Sequence, residues 1–251
     1  MIVVIKKKQI LKFLACALII FLILASYVTV GVVSVSGEVK KKPVYSVDTD
    51  EKVVALSFDA AWGADKTQKI MEILLENNIP ATFFLVGFWV DKYPEQVKEL
   101  VNKGFDIGNH SHNHLKMSTL SEESILDEIS YVNSKVKELT NYSPTVFRAP
   151  FGDYNNRLID VVSSNGMVPV QWSVDTLDWK GTRPTEILAR VKSKIKSGGI
   201  ILFHNNSDYV VEALPIVIDY LLSEGYTFKS VSELVYHSNY TVDINGVQHK
   251  N

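Results

Sequence analysis

Residues 53–63 read Val53-Val54-Ala55-Leu56-Ser57-Phe58-Asp59-Ala60-Ala61-Trp62-Gly63, an apolar run that ends on a carboxylate. The run predicts a buried strand over 53–58, and residues 65–76 follow with Ile70, Ile73 and Leu74 at helical spacing. The same alternation continues downstream. Strands are expected over 81–86, 105–108, 145–147, 167–174, 200–203 and within 228–234, and helices over 94–102, 121–139, 157–164, 185–196 and 210–222. Pro94 opens one helix, Ser121-Glu122-Glu123-Ser124 supplies a cap and early negative charge to the next, and Gly198-Gly199 stops a later one.

About seven strand–helix alternations imply a mainly parallel sheet, either wound as a barrel or open and doubly wound. Neither G-x-G-x-x-G nor G-x-x-x-x-G-K-[ST] occurs, which counts against a nucleotide-binding open sheet. The expected fold is α/β, a distorted (β/α) barrel of about seven parallel strands preceded by an N-terminal membrane segment.

That segment is read from residues 13–35, a stretch without a charge that follows Lys6, Lys7, Lys8 and Lys12. At ~1.5 Å per residue it reaches across a hydrocarbon core of roughly 30 Å, with the lysines inside and the remainder outside. The alternative is a cleaved signal peptide, with small residues at Val33-Ser34-Val35-Ser36-Gly37. Both readings export the domain. The expected organisation is 1–37 signal anchor or signal peptide, 38–50 linker, 51–236 barrel and 237–251 polar tail, with Asn245-Gly246 able to turn a small hairpin.

The chain has 251 residues, 46% of them hydrophobic and 22% charged, enough for one sizeable core. Its one cysteine, Cys16, lies in the apolar stretch, so the exported part forms no internal disulfide. The net charge is −2, and because residues 1–37 hold four lysines and no acid, the remainder is more acidic still. This balance excludes nucleic acid as an expected partner, since beyond Lys40-Lys41-Lys42 no basic cluster is present to neutralise phosphates.

The polar residues that end successive predicted strands are Asp59, His110, Arg148, Asp175 with Asp178, and His204. In a β/α barrel such positions converge on one face. His110 and His114, four apart, share a face if they lie on a helical turn and are then able to bind one divalent ion, with His112 pointing elsewhere. Arg148 is suited to hold Asp59 ionised, and an ionised Asp59 is suited to act as a base. Asp178 either orients His204 or caps the turn beside Trp179.

These residues resemble the polysaccharide deacetylases of the NodB-homology type over roughly residues 53–236. Ser57-Phe58-Asp59-Ala60 corresponds to the first motif and His110-Ser111-His112-Asn113-His114 to the second. Arg148-Ala149-Pro150-Phe151-Gly152, Asp175-Thr176-Leu177-Asp178-Trp179 and Leu202-Phe203-His204 correspond to the third to fifth. The resemblance implies removal of N-acetyl groups from amino-sugar polymers, usually with zinc or another divalent ion. It implies Asp59 as base, Arg148 orienting it, His110 and His114 as metal ligands, and His204 as acid with Asp178 as partner. The backbone N–H of Phe151 would help hold the oxyanion, and Trp179 and Leu202 would line the acetyl pocket.

One position departs from the pattern. The family's third metal ligand is an aspartate where this chain has Ala60. Metal is then weakly bound, completed by another carboxylate such as Asp65, or absent; Asp65 is otherwise the N-cap of the following helix. The Ala60-Ala61-Trp62-Gly63 stretch is most similar to the sporulation-associated branch, at the cell or spore envelope. The expectation is a deacetylase of peptidoglycan or a chitin-like polymer; the alternative is a catalytically silent carbohydrate-binding homologue. A glycosidase built on Asp59 and Asp175 ranks last, because it leaves His110 and His114 unexplained.

Overall fold

The computed structural model describes residues 6–30 and 39–251. It divides into two units, residues 1–39 and residues 40–251. In the first, α1 covers Lys7–Val30. The second begins with β1 (Ser46–Val47), β2 (Val53–Ala60), α2 (Thr67–Glu76), β3 (Ala81–Leu85), α3 (Gly87–Lys92), α4 (Pro94–Asn102) and β4 (Asp106–Asn109). Then follow α5 (Glu122–Thr140), β5 (Val146–Arg148), α6 (Asn156–Ser164), β6 (Val168–Val170), β7 (Val174–Asp175), α7 (Pro184–Lys194) and β8 (Gly199–His204). The unit ends with α8 (Val210–Ser223), β9 (Thr227–Phe228), α9 (Val231–Leu234), β10 (Tyr240–Val242) and β11 (Val247–Lys250).

The parallel path runs β7-β8-β2-β3-β4-β5-β6. Every residue of β2 is buried, and its alternation divides the core. Val54, Leu56, Phe58 and Ala60 join the larger apolar cluster with the residues of α2 and α8, while Val53 and Ala55 join a second cluster with Phe84, Val146 and Ile200. Ser57 and Asp59 have the parity of the second set, so one strand supplies an apolar outer face and a polar inner end. Ser121 Oγ accepts the Ser124 N–H at 3.2 Å, which caps α5.

Two parts of the expected fold are corrected. The sheet is an α/β half-barrel rather than a barrel: among the described residues β6 and β7 are not paired with each other. Only residues 171–173 separate them, and a parallel crossover needs a dozen or more residues, so the two strands are unable to become neighbours in a ladder. The membrane segment is also corrected, since among the described residues no helix is long and apolar enough to cross a membrane. Lys7, Lys8 and Lys12 fall within α1. Its uncharged part, residues 13–30, spans ~27 Å at 1.5 Å per residue, short of a core of roughly 30 Å. Residues 31–35 of the expected run, and the small residues 33–37, lie outside the described residues.

The flanks of the domain carry structure. Val44 of the expected linker bridges Val170 at the open edge and is buried, and β1 pairs with β8 and β11. The expected polar tail holds the β10–β11 hairpin around Asn245-Gly246, joined to the sheet through β1.

Candidate active site

The site begins with register. In the β2–β8 ladder Asp59 stands opposite His204, so the two side chains leave adjacent strand ends. Arg148, at the end of β5, donates from Nη1 to Asp59 Oδ1 at 2.7 Å. Its Nη2 donates to Ser57 Oγ at 2.9 Å and to the Gln171 carbonyl at 3.2 Å, and its guanidinium lies 4.0 Å from the Phe84 ring centroid. Arg148 is fully buried and Asp59 nearly so. Burial alone would raise the Asp59 carboxyl, but the charge of Arg148 foremost, with those of His110 and His204, holds it below the usual carboxylate range.

His204 is fixed by Asp178. The imidazole Nδ1 lies 2.8 Å from Asp178 Oδ1, and the His204 backbone N–H donates to Oδ2 at 2.8 Å. Ser207 Oγ and the Trp179 backbone N–H donate to the same carboxylate at 2.6 and 2.9 Å. Asp178 is buried at the start of a short 3-10 turn preceded by Leu177 in the left-handed region (φ 55°). Burial lowers the affinity of His204 for a proton, but the hydrogen bond and charge of Asp178, then the charges of Asp59 and Asp175, outweigh it and raise its pKa. The Asp178 bond occupies Nδ1, so Nε2 is the free ring nitrogen.

His110 and His114 lie on a loop rather than on the helical turn that their spacing suggests, with Ser111 and His114 in left-handed conformation (φ 67° and 54°). His110 Nδ1 donates to the Arg148 carbonyl at 2.7 Å, which turns Nε2 toward Asp59 Oδ2 at 3.4 Å. The two rings are 5.1 Å apart, centroid to centroid. His112 stacks on Tyr131 instead. Burial lowers the pKa of His110, and lowers that of His114 to about 4. The loop is held by Glu128 of α5, which accepts from the Asn113 backbone N–H at 2.7 Å and from Asn113 Nδ2 at 2.6 Å.

The resemblance implies a divalent ion, but the donors of the described residues do not fit one. Among the described residues no group of three His, Cys, Asp or Glu is arranged to hold a metal. Ala60 is fully buried within the apolar cluster and offers a methyl group. Asp65 does not complete the set: it is exposed and does not line the cavity. Nor does it cap α2, whose N-cap is Lys66 with no side-chain cap bond.

Asp59, His110, His114 and His204 open into one cavity of about 660 Å³, which Phe151, Trp179 and Leu202 also line. Phe151 has φ 60° and an exposed ring. Arg148 and Asp178 stand behind Asp59 and His204 as buried partners rather than on the cavity wall. The sequence reading missed Ser57, Glu128, Ser207, Trp62 and Asp208. Ser57 was accessible through strand parity with Asp59; the others come from loops and a helix whose approach no local pattern encodes.

Similarity to known proteins agrees with this architecture. The polysaccharide deacetylase family model matches residues 46–170. The chain is 34% identical over 194 residues to the uncharacterized protein YlxY of Bacillus subtilis, covering 77% of this chain and 60% of that protein. It thus spans less than two thirds of that relative. It is 34% identical over 200 residues to a peptidoglycan-N-acetylglucosamine deacetylase of Bacillus cereus, covering 76% of this chain and 92% of that one. The crystal structure of BA3943 from Bacillus anthracis, described as a CE4 family pseudoenzyme, superposes with a TM-score of 0.75 at 33% identity, over 84% of this chain and 73% of that one. The chain belongs to the polysaccharide deacetylase family, hydrolases of N-acetyl C–N bonds.

Proposed function

We propose that this chain removes N-acetyl groups from amino sugars of cell-envelope glycan, peptidoglycan above all, outside the cytoplasmic membrane where that polymer lies. The observation that carries this reading is the pairing of Asp59 with His204 across β2 and β8, each backed by its own buried partner, Arg148 and Asp178. A site kept only for sugar has no need of a base and an acid so supported. The Bacillus deacetylases named for peptidoglycan support the substrate class.

Amide hydrolysis needs an activated water, a stabilised oxyanion and a proton for the leaving amine. Ionised Asp59 takes a proton from water as its oxygen attacks the acetyl carbonyl carbon. The backbone N–H of Phe151 faces the resulting oxyanion, while Trp179 and Leu202 enclose the methyl group. Protonated His204 then gives its Nε2 proton to the nitrogen as the C–N bond breaks, leaving acetate and a free amine. Arg148 and Asp178 act as positioning residues. In the family pattern His110 and His114 are metal ligands; with Ala60 at the third ligand position they are two donors where a catalytic zinc has three, and no step runs through a metal.

A second reading, glycan binding without turnover, is favoured by Ala60 itself and by the likeness to a protein described as a pseudoenzyme. The two separate in one experiment on the full chain: calorimetric binding and acetate release, measured together on N-acetylglucosamine oligomers and peptidoglycan fragments. Acetate release that disappears in Asp59→Asn and His204→Ala supports deacetylation. Binding with no acetate decides for the silent reading, and the absence of both sinks each.

A further inference from the structure

Gln171 follows β6, which ends at Val170, and is buried, so its peptide groups need partners outside that strand's ladder. Its N–H donates to the Val44 carbonyl at 2.7 Å, and its own carbonyl accepts Arg148 Nη2 at 3.2 Å. One residue thus joins the segment around Val44 to the guanidinium that pairs with Asp59.

That segment spans the open side of the half-barrel. The Val44 N–H donates to the Pro169 carbonyl at 2.8 Å, which extends the sheet past β6. A few residues on, Ser46 pairs with Gly199, and the Val47 N–H donates to the Gly198 carbonyl at 2.9 Å. β8 therefore carries β1 at its first residue and β7 at Ile201 and Leu202, and one extended segment is bonded to both borders of the opening. Val44 and Val47 are buried in the cluster that contains Phe84, Val170 and Ile200, so they plug the interior from the open side.

The seat is shaped for close approach. Gly198 has φ +73°, and a Cβ there would run into the Val47 carbonyl oxygen; Gly246 has φ +82°, and a Cβ there would meet the Tyr45 ring. Side chains fasten the outer end. Lys41 pairs with Asp160, and Lys42 Nζ and Tyr45 Oη each lie 3.2 Å from Tyr154 Oη.

Arg148 has few bonds to spare. Its Nε has no partner among the described residues, Nη1 is used by Asp59, and Nη2 divides between Ser57 Oγ and the Gln171 carbonyl. A buried guanidinium with one donor already unpaired is sensitive to the loss of an acceptor.

We infer that residues 43–48 form a strap that closes the open side of the half-barrel and, through Gln171, holds Arg148 in place behind Asp59. Val44 and Gln171 are positioning residues remote from the cavity wall, and the strap and the guanidinium stabilise each other reciprocally. The inference goes beyond the glycan reading and does not depend on it.

The test is amide-resolved hydrogen exchange on the full chain, with urea unfolding alongside. Val44→Thr keeps the side-chain shape and puts a hydroxyl among apolar groups, while Gly198→Ala displaces the other end of the strap without altering it. Each should speed exchange at the Gln171 N–H by about tenfold. In a cycle with Arg148→Lys, the urea midpoint of Val44→Thr/Arg148→Lys should fall by less than the sum of the two single shifts, which independent packing roles would not produce. Unchanged Gln171 exchange in the folded variants, or additive midpoints, overturns the inference and leaves the glycan reading untouched; should Gly198→Ala not fold, Val44→Thr decides alone. Where acetate is released, the strap variants should lower kcat with KM unaltered, and an unaltered kcat beside faster exchange also overturns the inference. A wild-type chain that releases no acetate overturns only the glycan reading, and exchange and the cycle still decide this one.

Discussion

Asp59 and His204 on one hand, and His110 and His114 on the other, occupy the same cavity with unequal support. The first pair is over-determined. Asp59 is bonded by Arg148, which is itself bonded to Ser57 and Gln171, and the Asp178 carboxylate behind His204 collects hydrogen bonds from two backbone N–H groups and Ser207. The second pair is held in place, through the Arg148 carbonyl and Glu128, yet among the described residues it belongs to no group of three arranged to hold a metal, and His114 packs between Trp62 and Phe151. On the proposed reading Asp59 and His204 form an acid–base half that is supported by buried partners, beside a metal half whose third ligand position, Ala60, lies in the apolar core. The two halves are therefore separable in energy and in chemistry.

That separation is most directly broken by removing the proton carriers. Asp59→Asn or His204→Ala should lower acetate release by about 10²–10⁴-fold with glycan binding retained; an unaltered rate would detach the pair from the chemistry. Arg148→Ala leaves a buried carboxylate without its cation and should cost about 3–5 kcal/mol in urea unfolding. Adding Asp59→Asn to it should restore part of that loss. No restoration would show that Arg148 acts through packing against Phe84, whose ring centroid lies 4.0 Å from the guanidinium, rather than through charge.

The weaker half is sharpened by Ala60→Asp. Position 60 is fully buried among apolar residues, so a carboxylate there should lower the melting temperature in chelator. Zinc should recover that loss, with affinity at least about tenfold above that of the wild-type chain. Unchanged zinc affinity would mean that the two imidazoles do not converge.

The smallest expected effect is in pH dependence. The pKa of His204 is raised in the folded state, chiefly by Asp178 against the opposing effect of burial. The stability it contributes is fully present below its unfolded value of about 6.5 and is lost as pH rises through the folded value. The alkaline limb of acetate release should follow the same titration, while the acid limb follows Asp59 below the usual carboxylate range. Asp178→Asn should move the alkaline limb down toward about 6.5; an unmoved limb would assign it to another group.

Much of this site was legible because strand ends are legible. Apolar runs closing on Asp59, Arg148 and His204 forecast three residues that the parallel sheet brings together, since side-chain alternation is a local property and the C-terminal ends of parallel strands lie on one face. The helical turn for His110 and His114 was not: residues four apart share a face only if the backbone is helical, and here Ser111 and His114 take positive φ while Asn113 is tied to Glu128 on a distant helix. Asp65 illustrates the converse, a carboxylate of suitable type that neither caps α2 nor reaches the cavity.

By itself the sequence determined the alternation of strands and helices and the polar strand ends, because each is written in residue type and spacing, while the resemblance to the polysaccharide deacetylases implied that Ala60 stands where a metal ligand is expected. Only the tertiary structure decided that the barrel stays open between β6 and β7, that the segment around Val44 lies along that edge, and that Trp62, His114 and Phe151 join into one strip. Those outcomes depend on connection length against crossover geometry and on contacts between loops far apart in the chain, and no local pattern carries either.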